Sequence, residues 1–492
     1  MTVINPSSIS GITSITMPSG DGNVLTIHTN DGTERFRIDS SGNVKVGSAC
    51  TISQDGDVFF TGVCTATTLT GAASGLTGAL PAIDGSALTG MASTENVRTG
   101  ILDVAGISTF RNTMNVGAAV TISESGIEAS GIGITCANIN GTQIGGRKNL
   151  IINGAMTVSQ RGTSFDSTHG IYLLDRFMLE KENNAANFTI TQSTTSPDGF
   201  SKSLKVDCTT ADTSTASNEF VTLRYKIEAQ DLQHLSFGTS AAKPLVLSFY
   251  VRSNVTGTYA VNCLQRDNSS KLYTRNYTID SADTWERKTI SIPADTSGVI
   301  NDDTGSGLEI YIPLVMGSTY TSGSQSTTAW ETFANSKFAA GHAVNVLSNT
   351  SNEWYLTGVQ LEVGSQATAF EHRSFGEELA LCQRYYFRAN QGSDSGERPI
   401  ALGTYETSSA VTTTIRFPDM RTSPSIDVTD SSNAFMIRRE SASDSFDTFT
   451  LRYSRVNSAE IVASSGVSGT AGISGMVRSS GASTHLSFSA EL

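Results

Sequence analysis

Carboxylates in pairs, histidines and aromatic rings are the side chains of this 492-residue sequence whose type and spacing could do chemistry. Glycan cleavage needs two carboxylates flanking one bond. The closest acidic sets, Asp302-Asp303 and Asp55-Gly56-Asp57, lie in Gly-rich turns, where Asp bonds its own backbone. Acid/base pairs come from separated strands, so adjacency in sequence is no support for catalysis. Asn301, Asp302 and Asp303, followed by Thr304-Gly305, put oxygen ligands on a turn, which suits a hard cation such as calcium. The spacing matches no EF-hand, and a solvated turn is the plainer reading. Apart from that candidate calcium, no cofactor is implied.

The six histidines, at 28, 169, 234, 342, 372 and 485, have no metal-ligand spacing. HExxH, GxSxG, GxGxxG and P-loop patterns are absent, and no nucleophile is placed beside a base. The expectation is a protein that is not an enzyme.

Sugars present apolar C–H faces and hydroxyls, so their recognition calls for exposed aromatic faces beside amides or carboxylates. Trp285 and Trp354 head strand-like runs and read as packing residues. Trp330, in the loop-like stretch SQSTTAWETFANSKF, is the better stacking candidate, with Tyr320 on the approach to it. The same indole would serve equally well as a plug for a sheet edge. Tyr405, Phe435 and Phe446 flank polar loops, with core positions the default.

The elements that must hold such residues are β-strands. Hydrophobic residues make up 38% and charged residues 16%, both low for a soluble enzyme; the balance is in turn and strand residues such as Gly, Ser, Thr and Asn. Net charge is −13 with no basic region, which argues against a nucleic-acid surface. The six widely separated cysteines form neither a disulfide framework nor a zinc site. No apolar run reaches the length of a membrane span, so membrane insertion is not expected. MTVINPSSIS lacks a basic n-region and an apolar core, so export by an N-terminal signal is not expected either.

Residues 1–146 alternate short β-type units with Gly turns at Asp21-Gly22, Asp31-Gly32, Ser41-Gly42 and Asp55-Gly56, a hairpin rhythm. A Leu-Thr-Gly element recurs at 69–71, 76–78 and 88–90, with further strands at Ile101–Val104 and Val120–Ile122. Units this short cannot bury a core within one chain, whereas intertwined copies could. Residues 147–373 hold strand-like runs at sandwich spacing, read as a two-sheet antiparallel jelly roll. A helix follows, with Ser374 and Glu377 at capping-box spacing and a stripe of Phe375, Leu379, Cys382 and Tyr386. Residues 391–492 return to short strands, and the Ser/Gly-rich stretches 463–475 and 478–484 read as tip loops.

The run GGRKNLIINGAMTVSQRG, followed by YLLDRF, resembles the start of the head domain of bacteriophage tail fibres, nearest to those of marine cyanobacterial phages. LSFYVRSNVTGTYAV, TWERKTISIP and EWYLTGVQLEVGSQATAFEHR resemble strands of carbohydrate-binding-module jelly rolls in such fibres. FRIDSSGNVKVG resembles shaft repeats, GEELALCQRYY the helix joining head modules, and TTIRFPDMRTSPSI with THLSFSAEL the terminal β domain.

The resemblance implies an all-β fold in four parts. These are a fibrous shaft over 1–146 with N-terminal virion attachment, a jelly-roll sandwich over 147–373, a linking helix over 374–390 and a C-terminal β-sandwich tip over 391–492. It further implies an intertwined homotrimer in the virion, joined through its N-terminus to a tail nozzle or adaptor protein. The β heads would engage host lipopolysaccharide or another surface polysaccharide. A glycan-degrading tailspike depolymerase is the alternative and would require β-helix coils of uniform length. A bacterial surface adhesin is the third reading and would require an export signal or anchor.

Overall fold

The computed structural model describes residues 24–61 and 65, the backbone of five short strands between 114 and 143, and residues from 147 onward except 268–269, 391–396, 441 and 482–483. The Leu-Thr-Gly repeats, Ile101–Val104 and the N-terminal attachment segment lie outside the described residues. The chain divides into two compact units, Met1–Arg111 and Asn112–Leu492.

In the first unit, β1 (Leu25–His28), β2 (Glu34–Ile38), β3 (Val44–Val46), β4 (Cys50–Ile52) and β5 (Val58–Phe60) form a five-stranded antiparallel meander. Its four hairpins turn at Gly32, Gly42, Gly47 and Gly56, all with positive φ, where a side chain would be strained. The register aligns Leu25, Ile38, Val44, Ile52 and Val58 in one row and Ile27, Phe36, Val46, Cys50 and Phe60 in the next, on the same face. No residue of 24–61 is buried.

In the second unit, β6 (Met114–Val116), β7 (Val120–Ser123) and β8 (Gly126–Ala129) form a small sheet, and β9 (Asn138–Ile139) pairs with β10 (Thr142–Gln143). Twelve strands follow among the described residues. They are β11 (Ser164–Phe165), β12 (Phe177–Glu182), β13 (Asn187–Ser193), β14 (Ser203–Thr210), β15 (Phe220–Glu228), β16 (Leu245–Ser253), β17 (Gly257–Gln265), β18 (Lys271–Ile279), β19 (Glu286–Ile292), β20 (Ser306–Met316), β21 (Glu331–Thr332) and β22 (Glu353–Val363). They build two six-stranded antiparallel sheets, ordered β11-β13-β14-β22-β16-β19 and β12-β15-β20-β17-β18-β21. This is the jelly-roll sandwich.

Alternation explains the layering: Leu245, Leu247, Phe249 and Val251 of β16 point into the shared core, and Val246, Ser248, Tyr250 and Arg252 point away. The core also takes Leu204, Val206, Tyr259, Tyr277, Ile310, Ile312, Trp354 and Leu356.

The stretch Arg147–Gly162 has a definite task. Strand β14 pairs only with the first part of β22, Glu353 to Leu356. Beyond that point Leu150 N–H donates to Leu361 O at 2.8 Å, and Val359 N–H donates to Gly154 O at 2.9 Å. The stretch thus continues the sheet along an otherwise open edge. Asn153 then bends the chain at φ 61°. Its amide bonds Val158 O and Asp175 O, and its backbone N–H bonds Glu378 of the helix.

Helix α1 (Ser318–Thr321) is a single turn. Helix α2 (Phe375–Gln383) starts at the expected capping box, with the Ser374 and Glu377 side chains bonding each other's backbone N–H. Its inward stripe differs from expectation. Cys382 is buried and Leu379 packs beside it as expected, but Phe375 is 60% exposed, Tyr386, though buried, belongs to a strand, and Glu378 and Tyr385 join Cys382 in the interior. Glu378 can turn inward because Asn153 N–H and Arg373 satisfy its carboxylate.

The terminal domain contains β23 (Tyr386–Arg388), β24 (Arg398–Thr407), β25 (Ala410–Arg416), β26 (Ser425–Val428), β27 (Phe435–Arg438), β28 (Ser443–Phe446), β29 (Thr450–Arg455), β30 (Ser458–Ala463), β31 (Ser474–Ser479) and β32 (Leu486–Ser489). A seven-stranded sheet, β28-β27-β31-β24-β25-β30-β29, packs with the three-stranded β23-β32-β26 around Tyr405, Phe435, Phe446 and Phe488. Residues 474–479 fall partly in both stretches expected to be tip loops, yet form a central strand. Gly475 permits it, because a Cβ there would lie 2.6 Å from Arg438 O.

Candidate functional site

The outer face of the β11–β19 sheet carries a row of side chains set by strand register. Lys205 of β14 lies opposite Tyr355 of β22, and Tyr355 lies opposite Arg252 of β16. Trp285, immediately before β19, completes the row, because Glu286 pairs with Val251. The Trp285 and Tyr355 rings are 6.0 Å apart at 65°. The Arg252 guanidinium lies 4.9 Å over the Tyr355 ring, and Lys205 Nζ lies 5.7 Å from its centre.

Carboxylates close the row. Glu353 accepts from Lys205 Nζ at 2.6 Å and from the Tyr355 hydroxyl at 2.7 Å, and Asp207 lies 3.4 Å from Lys205. Arg252 is braced by Asp283, through the carboxylate at 3.0 Å and the backbone carbonyl at 2.8 Å. The Lys205 bond holds the Glu353 carboxyl below its usual range. Burial, reinforced by Glu353, pushes the Tyr355 hydroxyl up. The part-buried Trp285 indole is therefore backed by the Tyr355 ring, which itself lies between the Lys205 ammonium and the Arg252 guanidinium, with Glu353 and Asp207 beside Lys205. Such a surface can stack on a sugar's C–H face and exchange hydrogen bonds with its hydroxyls.

Along the same sheet Phe200, Tyr250, Phe370 and His372 form a second aromatic group, with Phe200 5.3 Å from Tyr250, 5.0 Å from Phe370 and 5.1 Å from His372. It sits on Gly358, where φ is +62° and a Cβ would come 2.8 Å from both Phe200 and Tyr250. Beside Phe200, a shallow cavity of about 350 Å³ is lined by Thr157, Ser201, Lys202, Arg373 and Phe375.

On the opposite sheet, Arg224 joins Glu180 to Glu309, and Arg266 Nε lies 3.1 Å from Glu309. The Tyr311 hydroxyl donates to Glu309 at 2.7 Å. Burial would raise the Glu309 carboxyl, but Arg224 and Arg266 prevail and hold it below its usual range. A carboxylate kept ionised in this way accepts hydrogen bonds and is poorly suited to donate a proton.

Trp330 is 9% exposed. Its Nε1–H donates to Pro293 O at 2.8 Å, and its ring packs 5.9 Å from both Phe237 and Tyr273 in the main core. The exposed stacking platform expected of it is not formed, because the indole fills the sandwich interior near the β18–β21 end. Tyr320 lies elsewhere, on α1 over the outer face of the second sheet, 5.4 Å from Phe220 and 6.3 Å from Phe338. The two do not form one site.

Asn301, Asp302 and Asp303 are exposed in a turn whose polar groups are partly engaged. Asp303 Oδ1 accepts from Gly305 N–H at 2.7 Å, Asn301 O accepts from Gln233, and Asn301 N–H donates to Asp267. Among the described residues no group of three or more His, Cys, Asp or Glu could hold a metal ion. No helix among them is long and apolar enough to cross a membrane.

Trp285 reads in the sequence as a packing residue like Trp354, whereas the structure leaves its indole part-exposed and buries Trp354. Their contexts differ: Trp354 follows Glu353 inside an eleven-residue strand, whereas Trp285 follows Asp283-Thr284 in a turn and precedes the short alternating run Glu286–Ile292.

No family model matches the chain, and no curated protein matches it. Solved structures similar to part of it include the enzymatically active domain of tailspike protein 4 of bacteriophage CBA120, with 10% identity over 44% of this chain and 21% of that one, and a TM-score of 0.24. The chain thus spans about a fifth of that tailspike's length. A family 11 carbohydrate-binding module of Clostridium thermocellum is similar at 12% identity over 43% of this chain and 98% of that one, with a TM-score of 0.21. An apo cyclase from Fischerella is similar at 10% identity over 45% and 98%, with a TM-score of 0.25. At TM-scores this low the likenesses carry no functional argument.

Proposed function

We propose that this chain is an adhesive fibre protein of a bacterial virus, which binds host surface polysaccharide through the outer face of the β11–β19 sheet. The observation that carries the reading is the Lys205–Tyr355–Arg252–Trp285 row with Glu353 and Asp207 beside it. Its one accessible indole and fixed charges suit a weak, sugar-sized contact. Several copies held on one shaft would convert weak contacts into firm attachment, since linked sites can gain about 10²–10⁴ in avidity.

The assembly in this reading is a homotrimer attached to the tail through its N-terminus. The meander of residues 24–61 supports association, because it has a wholly apolar face and buries nothing.

The test is binding of the full chain to bacterial surface polysaccharides on an array, with Trp285→Ala and Arg252→Ala beside it. Saturable binding lost by about tenfold or more in Trp285→Ala, with unfolding unchanged, is the expected result. Equal binding by the parent chain and both variants would move recognition off this face.

A further inference from the structure

The seven-stranded sheet of the terminal domain has an outer face that nothing covers among the described residues. Its inner face buries Tyr405, Val411, Ile415, Ile461 and Val477 in the domain core. Alternation sends Leu402 of β24, Thr414 and Arg416 of β25, and Tyr453 and Arg455 of β29 the other way. Leu402 is 72% exposed and Tyr453 68%, the highest values of any large apolar side chain among the described residues.

Charge is uneven along this face. Residues 391–492 contain no lysine, and five of their eight arginines, at 416, 438, 452, 455 and 478, lie here. Three glutamates answer them. Glu397 is shared by Arg438 and Arg478, and Arg452 holds both Glu406 and Glu460. Arg416 and Arg455 have no ion pair among the described residues. In a chain of net charge −13 this face carries an excess of two positive charges, so an anion is drawn to it and repelled by most of the remaining surface.

Register sets the two unpaired arginines at one place. Arg416 of β25 and Arg455 of β29 each lie opposite Ser458 of β30. Their backbones are two strand spacings apart, about 10 Å, with one small hydroxyl between them. Each guanidinium offers paired N–H donors that match the two oxygens of a carboxylate. Tyr453 stands on the same face two residues before Arg455, and with Leu402 it adds apolar surface that suits the C–H face of a sugar.

We propose that this face binds an acidic polysaccharide, with a uronate carboxylate seated between Arg416 and Arg455 over Ser458 and the sugar ring against Tyr453. The site belongs to the terminal domain and reads charge. It is therefore separate from the Trp285 row of the sandwich and does not rest on it.

The experiment is calorimetric titration of the full chain with oligogalacturonate, an oligosaccharide of uronate units. Its methyl ester keeps the sugar and loses the charge, and inorganic polyphosphate keeps the charge and loses the sugar. Expected is saturable binding of oligogalacturonate that weakens with salt, and binding weaker by about tenfold or more for the other two probes. Arg416→Gln and Arg455→Gln should each weaken binding about fivefold, and Tyr453→Ala similarly. Arg438→Gln removes the same charge from a paired position on the same face and should keep affinity within about twofold. Trp285→Ala should leave it unchanged, so the two surfaces stand or fall separately. All these side chains lie at least partly open to solvent, and matching thermal unfolding of each variant confirms that binding alone has changed.

Four outcomes would each overturn the site. They are no binding at millimolar oligogalacturonate, equal binding of the ester or of polyphosphate, equal losses in Arg438→Gln and Arg416→Gln, or loss of binding in Trp285→Ala.

Discussion

Arg384 grips Glu228 with both arms of its guanidinium, Nε 2.9 Å from one carboxylate oxygen and Nη2 2.7 Å from the other. The same buried carboxylate accepts the Tyr385 hydroxyl at 2.9 Å and the Gln230 amide at 2.7 Å. Glu228 ends β15 and Arg384 follows α2, so one carboxylate ties the sandwich to the segment leading into the terminal domain. Removing one member strands the rest without a partner. Glu228→Ala should cost about 3–5 kcal/mol in chemical denaturation, and Glu228→Gln less, because its amide keeps part of the network. A loss below about 1 kcal/mol for Glu228→Ala would mean that the pair contributes little to stability.

Gly154 lies where the chain passes closest to β22. A Cβ there would collide with Val359 O and lie 3.1 Å from Val359 C, and the Gly154 carbonyl accepts Val359 N–H. Neither backbone can retreat without losing that bond. Gly154→Ala should therefore destabilise the protein by about 1–3 kcal/mol, despite adding a single methyl group. Gly376, with nothing within 4 Å of its Cβ position, is the control. There the same exchange, inside a helix, should be neutral or stabilising by up to about 1 kcal/mol.

What could be read from the sequence was local. Ser374 and Glu377 meet within one turn, and the hairpin glycines act on their own φ, so both the capping box and the meander turns were legible. Longer-range requirements were not. Glu378 looks like a solvated helix residue until Asn153, more than two hundred positions earlier, supplies an N–H to it. Ser474–Ser479 looks like a flexible loop until its Gly475 is seen against Arg438. The candidate site was missed for the same reason, because strand register alone lines up Lys205, Tyr355, Arg252 and Trp285.

His342 and Asp175 should pull stability in opposite directions in mild acid. His342 Nδ1 accepts Ala260 N–H at 3.1 Å, and burial lowers the ring's pKa to about 4 from 6.5. Between those values the unfolded chain holds a proton that the folded chain refuses, so stability falls as pH drops through the window. Burial raises the Asp175 carboxyl to about 6, against the pull of Arg161 and Gln160. The folded chain then holds the extra proton below 6, and stability rises as pH drops from 6 towards 4. Urea denaturation from pH 7 to 4 should show a shallow profile for the parent chain. Asp175→Asn should steepen the acid loss, to about 3 kcal/mol across the window if His342 acts alone. His342→Asn, which keeps an acceptor for Ala260, should reverse the slope. Parallel profiles for all three chains would show that neither group is linked to folding.

The meander should govern assembly. Ten residues in two rows make one face of β1–β5 apolar, and Ile27, Val46, Val58 and Phe60 are each about half exposed within a single chain. A sheet of five short strands with one uncovered apolar face gains little by folding alone. Covering that face with the same face of other copies removes both rows from water at once. Light scattering of the full chain should therefore report three times 52.0 kDa. A charge at the centre of the sheet, in Ile38→Asp or Val44→Asp, should lower the mass to that of one chain, because a buried unpaired carboxylate costs several kcal/mol. Lys45→Asp, on the opposite face of the same strand, should leave the mass unchanged. If the parent chain runs as a monomer, or if Lys45→Asp disrupts assembly as strongly as Val44→Asp, the apolar face is not what joins the copies.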